Sequence, residues 1–427
     1  MTHGSPASGA APTSAAPEGL LPVILGADIG VYALARSFHE AYGVRSIVVS
    51  GAALGPIADS AIIDNSLVEN GHDPRQLVDR LLEVARQHPG RRLVLLANSD
   101  WLVRVVVQHR AELEPFYVVP FLSAELLDRI SDKATFAEIC TELGISVPRT
   151  IVQDFARASE PGWAPVPVDV PYPLIAKAAS SADYQDVEFE GKKKVFEIGT
   201  PEELDALWVS LREAGFTGRF VVQELVPGDD TQMRSITAYV DSRGSITMMC
   251  SAHVLLEEHT PSGLGNPAAM VTRRFDGMLA QARTFLEATG YVGFANFDVK
   301  VDPRDGSFRF FEVNPRIGRN NYYVTAAGGN PVRFLVEDRV LGNAVDPVVV
   351  DEEILYSILP SKLLLHYVVD PQLRADVEGL IKARRVVHPL RYAKDGSIKR
   401  RMYVTAALLN QVKKFRTYYP NPTSTGF

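Results

Sequence analysis

Residues 293–316 read GFANFDVKVDPRDGSFRFFEVNPR, two runs of alternating character separated by Pro-Arg-Asp-Gly. Alternating runs on either side of a turn signal predict a β-hairpin, and its register decides which side chains share a face. With the loop at Arg304-Asp305-Gly306 and Gly306 in the left-handed position, Pro303 faces Ser307, and counting back sets Asp298 opposite Glu312. Phe297, Val299, Phe311 and Val313 then form the packed face, while Glu312, Asn314 and Arg316 line up on the other. Two carboxylates and an amide oxygen on one surface suit a hard cation such as Mg²⁺, and an arginine beside them suits phosphate oxygens. The solvated edge of an amphipathic strand gives the same alternation, so the rest of the chain has to decide.

The chain has 427 residues, enough for two or three domains. Its 44 basic and 51 acidic residues leave a net charge of −7, which argues against a nucleic-acid binder. Cys140 and Cys250 are the two cysteines, too few for a disulfide framework; reduced core residues in a cytosolic protein are expected. The first twenty residues, rich in Ala, Ser, Pro and Gly without a basic start or apolar stretch, read as a disordered leader. Nor is there an apolar run of the roughly 18 residues a membrane span requires. A cytoplasmic protein is expected.

From residue 21 to about 128, apolar strands alternate with helices, which predicts an open parallel α/β sheet. The first turn, GADIG, falls short of G-x-G-x-x-G, which disfavours an NAD-dependent oxidoreductase. Beyond residue 129 come a helix closed by Gly144, the strand YPLIAKAA, the polar loop SSADYQDVEFEGKKK, a helix over PEELDALWVSLREAG and the strand FVVQELV. These bound a small unit, roughly 172–226. A hairpin over MRSITAYVDSRGSITMMCSA, a helix and the hairpin above follow, to about 345. From Lys382 to Arg416 there are eleven Lys or Arg and one acid, Asp395; this basic extension, 346–427, is either a solvated face or a dock for an anionic surface.

Lys133 at a helix start, Lys177 at the end of an apolar strand, VVQELVPGDD and FEVNPR occur in an order that resembles the ATP-grasp fold, from a preceding α/β domain at 21–128 through a grasp domain at 129–345. The resemblance implies that the small unit is a mobile lid over ATP. It further implies that Lys133 and Lys177 contact the phosphates, that Glu224, Leu225 and Val226 form the hinge at the adenine, and that Asp230 lies at the ribose. Asp298, Glu312 and Asn314 would hold Mg²⁺, with Arg316 and Lys177 acting on the transferred phosphoryl group. The phosphate loop departs from the glycine-rich pattern, with Ser180 and Ser181 in SSADYQ.

Within that fold, LGADIGVYALARSFHEAYG, EFEGKKK, VPGDDTQMR and GFANFDVKVDPRDG resemble the peptidoglycan D-aspartate ligases. That resemblance implies a carboxylate phosphorylated by ATP and an acyl phosphate attacked by an amine. D-aspartate would be the donor, and the acceptor the lysine side chain of a UDP-linked muramyl pentapeptide or its lipid-linked form. Arg234 and Arg319 are candidate carboxylate clamps, Asp28 and Tyr32 stand at a βα turn where ligands of open sheets lie, and His253 is a candidate base for the amine. Asp28 also fits a helix cap and His253 a structural role. Other readings are an ATP-grasp ligase for another amino acid or peptide, and an ATP-binding scaffold without activity.

Overall fold

The structure, a computed structural model, describes residues 11–180, 183–184, 187–261 and 263–426. The chain divides into two compact units, one of 1–124, 229–297 and 314–427, the other of 125–228 and 298–313.

In the first unit, five strands among the described residues form an all-parallel sheet in the order Ile63–Leu67, Ser46–Ser50, Leu20–Leu25, Arg92–Ala97, Tyr117–Val118. Leu20–Leu25 and Ser46–Ser50 are buried along their whole length, as strands covered on both faces are, so an uninterrupted apolar run predicts a parallel sheet. Asp28 caps the following helix, Ile29–Tyr42, which Gly43 ends in the left-handed conformation. The second glycine of GADIG serves close packing: a Cβ on Gly30 would stand 2.8 Å from the backbone of Arg319 and 2.3 Å from the Asn98 amide.

The same unit contains a larger mixed sheet. Met233–Val240 and Ile246–Glu257 form the expected hairpin, and Pro267–Thr272 extends it. The last 80 residues are no appendage. Val348–Val350 pairs with Ile246–Glu257, Leu355–Ser357 with Pro267–Thr272, and Val386–Val387 with Leu355–Ser357, so the segment read as an extension completes a sheet. The leader also differs from expectation: residues 1–10 lie outside the described residues, but Ala11 is buried with its N–H on Gly328 O, and Arg333 donates to Ser14 O.

The second unit contains, among its described residues, a four-stranded antiparallel sheet ordered Thr150–Asp154, Arg219–Glu224, Leu174–Ala178, Phe196–Ile198. It is larger than the 172–226 unit read from the sequence, because Thr150–Asp154 supplies an edge strand. Phe155, Trp208, Phe216 and Phe220 pack beside it at centroid distances of 5.4 to 6.0 Å, edge-on except for the tilted pair Phe155 and Phe216.

The hairpin of Gly293–Val301 and Phe308–Asn314 forms as expected, with a different turn. Asp302 N–H donates to Ser307 O at 2.9 Å and Gly306 N–H to Asp302 O at 2.7 Å, so Asp302, not Pro303, stands opposite Ser307. Gly306 is left-handed at φ 73°, and Pro303 takes the second turn position, which its fixed φ suits. Packing on the second strand follows a different residue too: Phe310 is buried, whereas Phe311 is half-buried beneath Lys177, whose Nζ lies 5.7 Å from the ring centre.

Candidate active site

A cluster of lysines and carboxylates in the second unit combines separate parts of the sequence. Asp132 caps the helix Lys133–Glu142, and the backbone N–H of Lys133 donates to Ala179 O, which fixes the helix start beside the end of Leu174–Ala178. Lys177 lies on that strand, opposite Val221. The Lys133 ammonium lies 3.4 Å from a Glu312 carboxylate oxygen, with only 15% of the lysine side chain exposed.

The electrostatics extend the group. Burial, then the positive charge of Lys133, pulls the Lys177 pKa down to about 8, with Lys194 pressing the same way and Glu312 and Asp298 resisting. Burial would raise the Glu312 pKa, but Lys133, Lys177 and Lys194 outweigh it and hold the carboxyl well below its usual range. Asp298 and Glu312 thus lie in the field of one lysine, although the turn differs from the one that suggested their pairing. Lys194 was missed in the sequence, since the run GKKK does not distinguish its three lysines.

Lys133 and Lys177, half-buried, together with the charge of the exposed Lys194 outnumber the two carboxylates and leave a surplus of positive charge, which fits a polyphosphate. The donor set fits Mg²⁺ as well, since that ion binds through one or two carboxylates and completes its shell with water and substrate phosphates. Among the described residues no group of three or more His, Cys, Asp or Glu stands together, so a cage built from protein alone is not present.

The hinge candidates follow. The Glu224 carboxylate is held by the Arg149 N–H at 3.2 Å and by Arg304 at 3.2 Å. The N–H groups of Glu224 and Leu225 are spent on Arg149 O and Pro173 O, and Val226 is buried. Ser180 precedes Ser181, which lies outside the described residues.

The remaining candidates belong to the first unit. Asn314 Oδ1 accepts from Arg316 at 3.1 Å, and Arg316 also pairs with Asp100 at 3.1 Å. Arg319 reaches Glu258 at 2.5 Å and Asp28 at 3.3 Å. Burial opposes its charge, yet Glu258 and Asp28 hold it more firmly charged than usual. Asp28 therefore has two tasks, because its other oxygen caps the helix and accepts from Asn98 at 2.8 Å. Glu258, buried and also 3.7 Å from Lys414, was not singled out in the sequence.

Arg234 is different. It is buried, donates to the Thr231 and Met233 carbonyls, and leaves Nε without a partner. Among the described residues no carboxylate pairs with it; burial and then the nearby Arg273 charge pull its pKa down to about 10.

Three candidates have other occupations. Tyr32 is fully buried, bonded through its hydroxyl to Asp395 at 2.8 Å and covered by Arg400, so it ties the first helix to the C-terminal segment. Asp230 is buried, accepting from the Glu257 N–H and from His259 at 2.9 Å each, and His259 stacks on Tyr419 at 3.6 Å; its carboxylate is committed away from a ribose. His253 has Nε2 bonded to Thr231 O at 2.7 Å, while burial and the neighbouring Arg234 push its pKa down to about 3, too low for a general base near neutrality.

Residues 231–337 match the family model of the carbamoyl-phosphate synthase L chain, ATP binding domain. The fold is shared with the L-amino acid ligase from Bacillus licheniformis (TM-score 0.53, 12% identity, 76% of this chain and 75% of that one). It is shared also with N5-carboxyaminoimidazole synthetase from Staphylococcus aureus complexed with ADP (TM-score 0.54, 15% identity, 79% and 81%). Fold and site define an ATP-dependent ligase of the ATP-grasp class. Over 410 residues the chain is 32% identical to the D-aspartate ligase of Enterococcus faecium (strain Aus0004), covering 94% of this chain and 97% of that protein; it belongs to the ATP-grasp carboxylate–amine ligases.

Proposed function

We propose that this enzyme joins a carboxylate of D-aspartate to the lysine side-chain amine of a UDP-linked muramyl pentapeptide or its lipid-linked form, through an acyl phosphate. The observation that carries the chemistry is the cluster of Lys133, Lys177 and Lys194 about Glu312 and Asp298. The near full-length likeness to a D-aspartate ligase supports the substrate. Lys133 and Lys177 bind the phosphates of ATP. Asp298, Glu312 and Asn314 hold Mg²⁺, which neutralises developing phosphate charge when bound. Arg316 and Lys177 steady the phosphoryl group on its way to the substrate carboxylate, and the backbone of Glu224 to Val226 seats the adenine. The acceptor amine then attacks the acyl carbon and phosphate leaves, so no protein nucleophile takes part. Cys140 and Cys250 agree with this, both buried with thiol pKa values pushed above the ordinary range. The enzyme works in the cytoplasm, with access to the membrane face where a lipid-linked acceptor would lie.

The test is ADP and phosphate release with a panel of amino acids, with and without the precursor, and with hydroxylamine as a trap. ATP is expected to be consumed only with an acidic amino acid, D-aspartate before its L form, and hydroxylamine should give an aspartyl hydroxamate. ATP consumption without hydroxamate from any acidic amino acid would rule out the acyl phosphate, whereas preference for another carboxylate would overturn only the substrate.

Arg234 is proposed as the clamp for an amino-acid carboxylate, because its buried charge has no acidic partner while Arg319 already has two. A charge-assisted bond of about 1.5–3 kcal/mol predicts that Arg234→Gln raises the KM for the amino acid roughly 10- to 100-fold. The KM for ATP should stay unchanged. Folding should survive, since the substitution removes an unpaired buried charge and orphans no carboxylate. An unchanged amino-acid KM would move the clamp elsewhere.

A further inference from the structure

The helix Ile398–Tyr418 is the longest in the described chain, and its two faces differ. At 100° per residue, Arg400, Val404 and Phe415 fall on the face turned into the first unit, and all three are buried. Arg400 donates to the Pro56 and Ala58 carbonyls and pairs with Asp395, so one of the eleven basic residues anchors the helix. The opposite face carries Ile398, Met402 and Leu409 at 78%, 68% and 66% exposure, in line with Lys413 and Arg416 and flanked by Arg401.

Three large apolar side chains thus lie in the open along one face of the helix, with the exposed Thr405 between Met402 and Leu409. Its charge is one-sided as well: residues 398–418 contain six Lys or Arg and no Asp or Glu, in a chain whose net charge is −7. Among the described residues Arg401, Lys413 and Arg416 form no ion pair. Apolar side chains of this size, bordered by unpaired cations, match the headgroup region of an anionic bilayer, where the tails enter the acyl boundary and the cations meet lipid phosphates. No helix of the described chain is long and apolar enough to cross a membrane, and this one is too charged to do so, so contact parallel to the surface is the mode it allows.

We infer that the outer face of Ile398–Tyr418 docks the enzyme reversibly on an anionic lipid surface, with Ile398, Met402 and Leu409 inserted and Arg401, Lys413 and Arg416 on the headgroups. The docking does not depend on which amino acid is ligated. Only its use, bringing the enzyme to a lipid-linked acceptor, rests on the function proposed above.

The test is sedimentation of the full-length protein with vesicles of phosphatidylcholine alone and with about one third phosphatidylglycerol, at low and high salt. Binding is expected on the anionic vesicles only, weakening at least tenfold at high salt as headgroup contacts are screened. The double variant Lys413→Glu/Arg416→Glu should lose most of it. Met402→Ser/Leu409→Ser should weaken binding at every salt concentration, because insertion does not depend on charge. Ligation assayed in solution with soluble precursor should be unchanged in both variants; that assay reports the function separately. No binding of the wild-type protein to anionic vesicles, or equal binding by the variants, overturns the docking. So does a concentration-dependent dimer abolished by Met402→Ser/Leu409→Ser, which would assign the stripe to a second copy of the chain.

Discussion

Glu312→Gln is expected to lower ATP-dependent turnover on the order of 10²–10³-fold, the range for removing one preorganised electrostatic contact to a reacting group. The substitution keeps shape and hydrogen-bonding capacity and deletes one charge. That charge supports two partners at once. It is the proposed ligand of Mg²⁺, it lies 3.4 Å from the Lys133 ammonium, and with Asp298 it favours the charged form of the half-buried Lys177. Without it the Lys177 pKa falls from about 8 toward neutrality, so fewer molecules at neutral pH offer the phosphates that ammonium. The Mg²⁺ concentration needed for half-maximal rate should rise as well. In folding, the Glu312 carboxyl is depressed below its unfolded value, so its stabilising contribution is present above the unfolded pKa and is lost as pH falls through the folded one. The variant should accordingly be somewhat less stable at pH 7 and equal to wild type in strong acid. Normal turnover by a folded Glu312→Gln enzyme, checked by circular dichroism, would remove Glu312 from the site.

How far the sequence reached depended on the range of the interaction. The parallel sheet was legible because unbroken apolar strands and capped helices are local signals, and the lysines and FEVNPR were legible as residue types in order. The hairpin turn was misplaced by one residue although the clue was present: Asp302-Pro303 fits the first two positions of a turn whose Asp side chain accepts the Arg304 N–H. What failed was long-range. Tyr32 and Asp395 are 363 residues apart, and nothing near GADIG shows that the tyrosine faces inward. Asp230 occurs in a motif that resembles a nucleotide contact, but His259 and the packing of Tyr419 on that ring claim its carboxylate. Exchanging partners across the fold costs nothing in local pattern. The same blindness hid the burial of Arg400 within a run that reads as uniformly basic.

The other large effect belongs to Lys177, and its signature is pH. With the pKa lowered to about 8, the ammonium is mostly charged at pH 7 and mostly neutral by pH 9. Anionic phosphates favour the charged form, so kcat/KM for ATP, which reports groups of the free enzyme, should fall about tenfold per unit above pH 8. Bound phosphate raises the same pKa, so kcat should hold to higher pH. The acceptor lysine pulls the other way, since its free pKa near 10.4 makes the reactive amine more abundant as pH rises. At saturating ATP the amide-forming rate should therefore climb with pH while kcat/KM for ATP declines. The folding linkage has its own sign: because the folded pKa lies below the unfolded one, the charged lysine costs stability below pH 8, and that cost disappears as pH rises through 8 toward 10.5. Lys177→Gln should lose on the order of 10²–10³-fold in kcat/KM for ATP at pH 7, comparable to losing one charge-stabilising donor. Its remaining activity should show no decline near pH 8, and the folded variant should gain stability at pH 7 relative to wild type. If the decline persists in Lys177→Gln, the titrating group is another residue and the phosphate contact assigned to Lys177 is wrong.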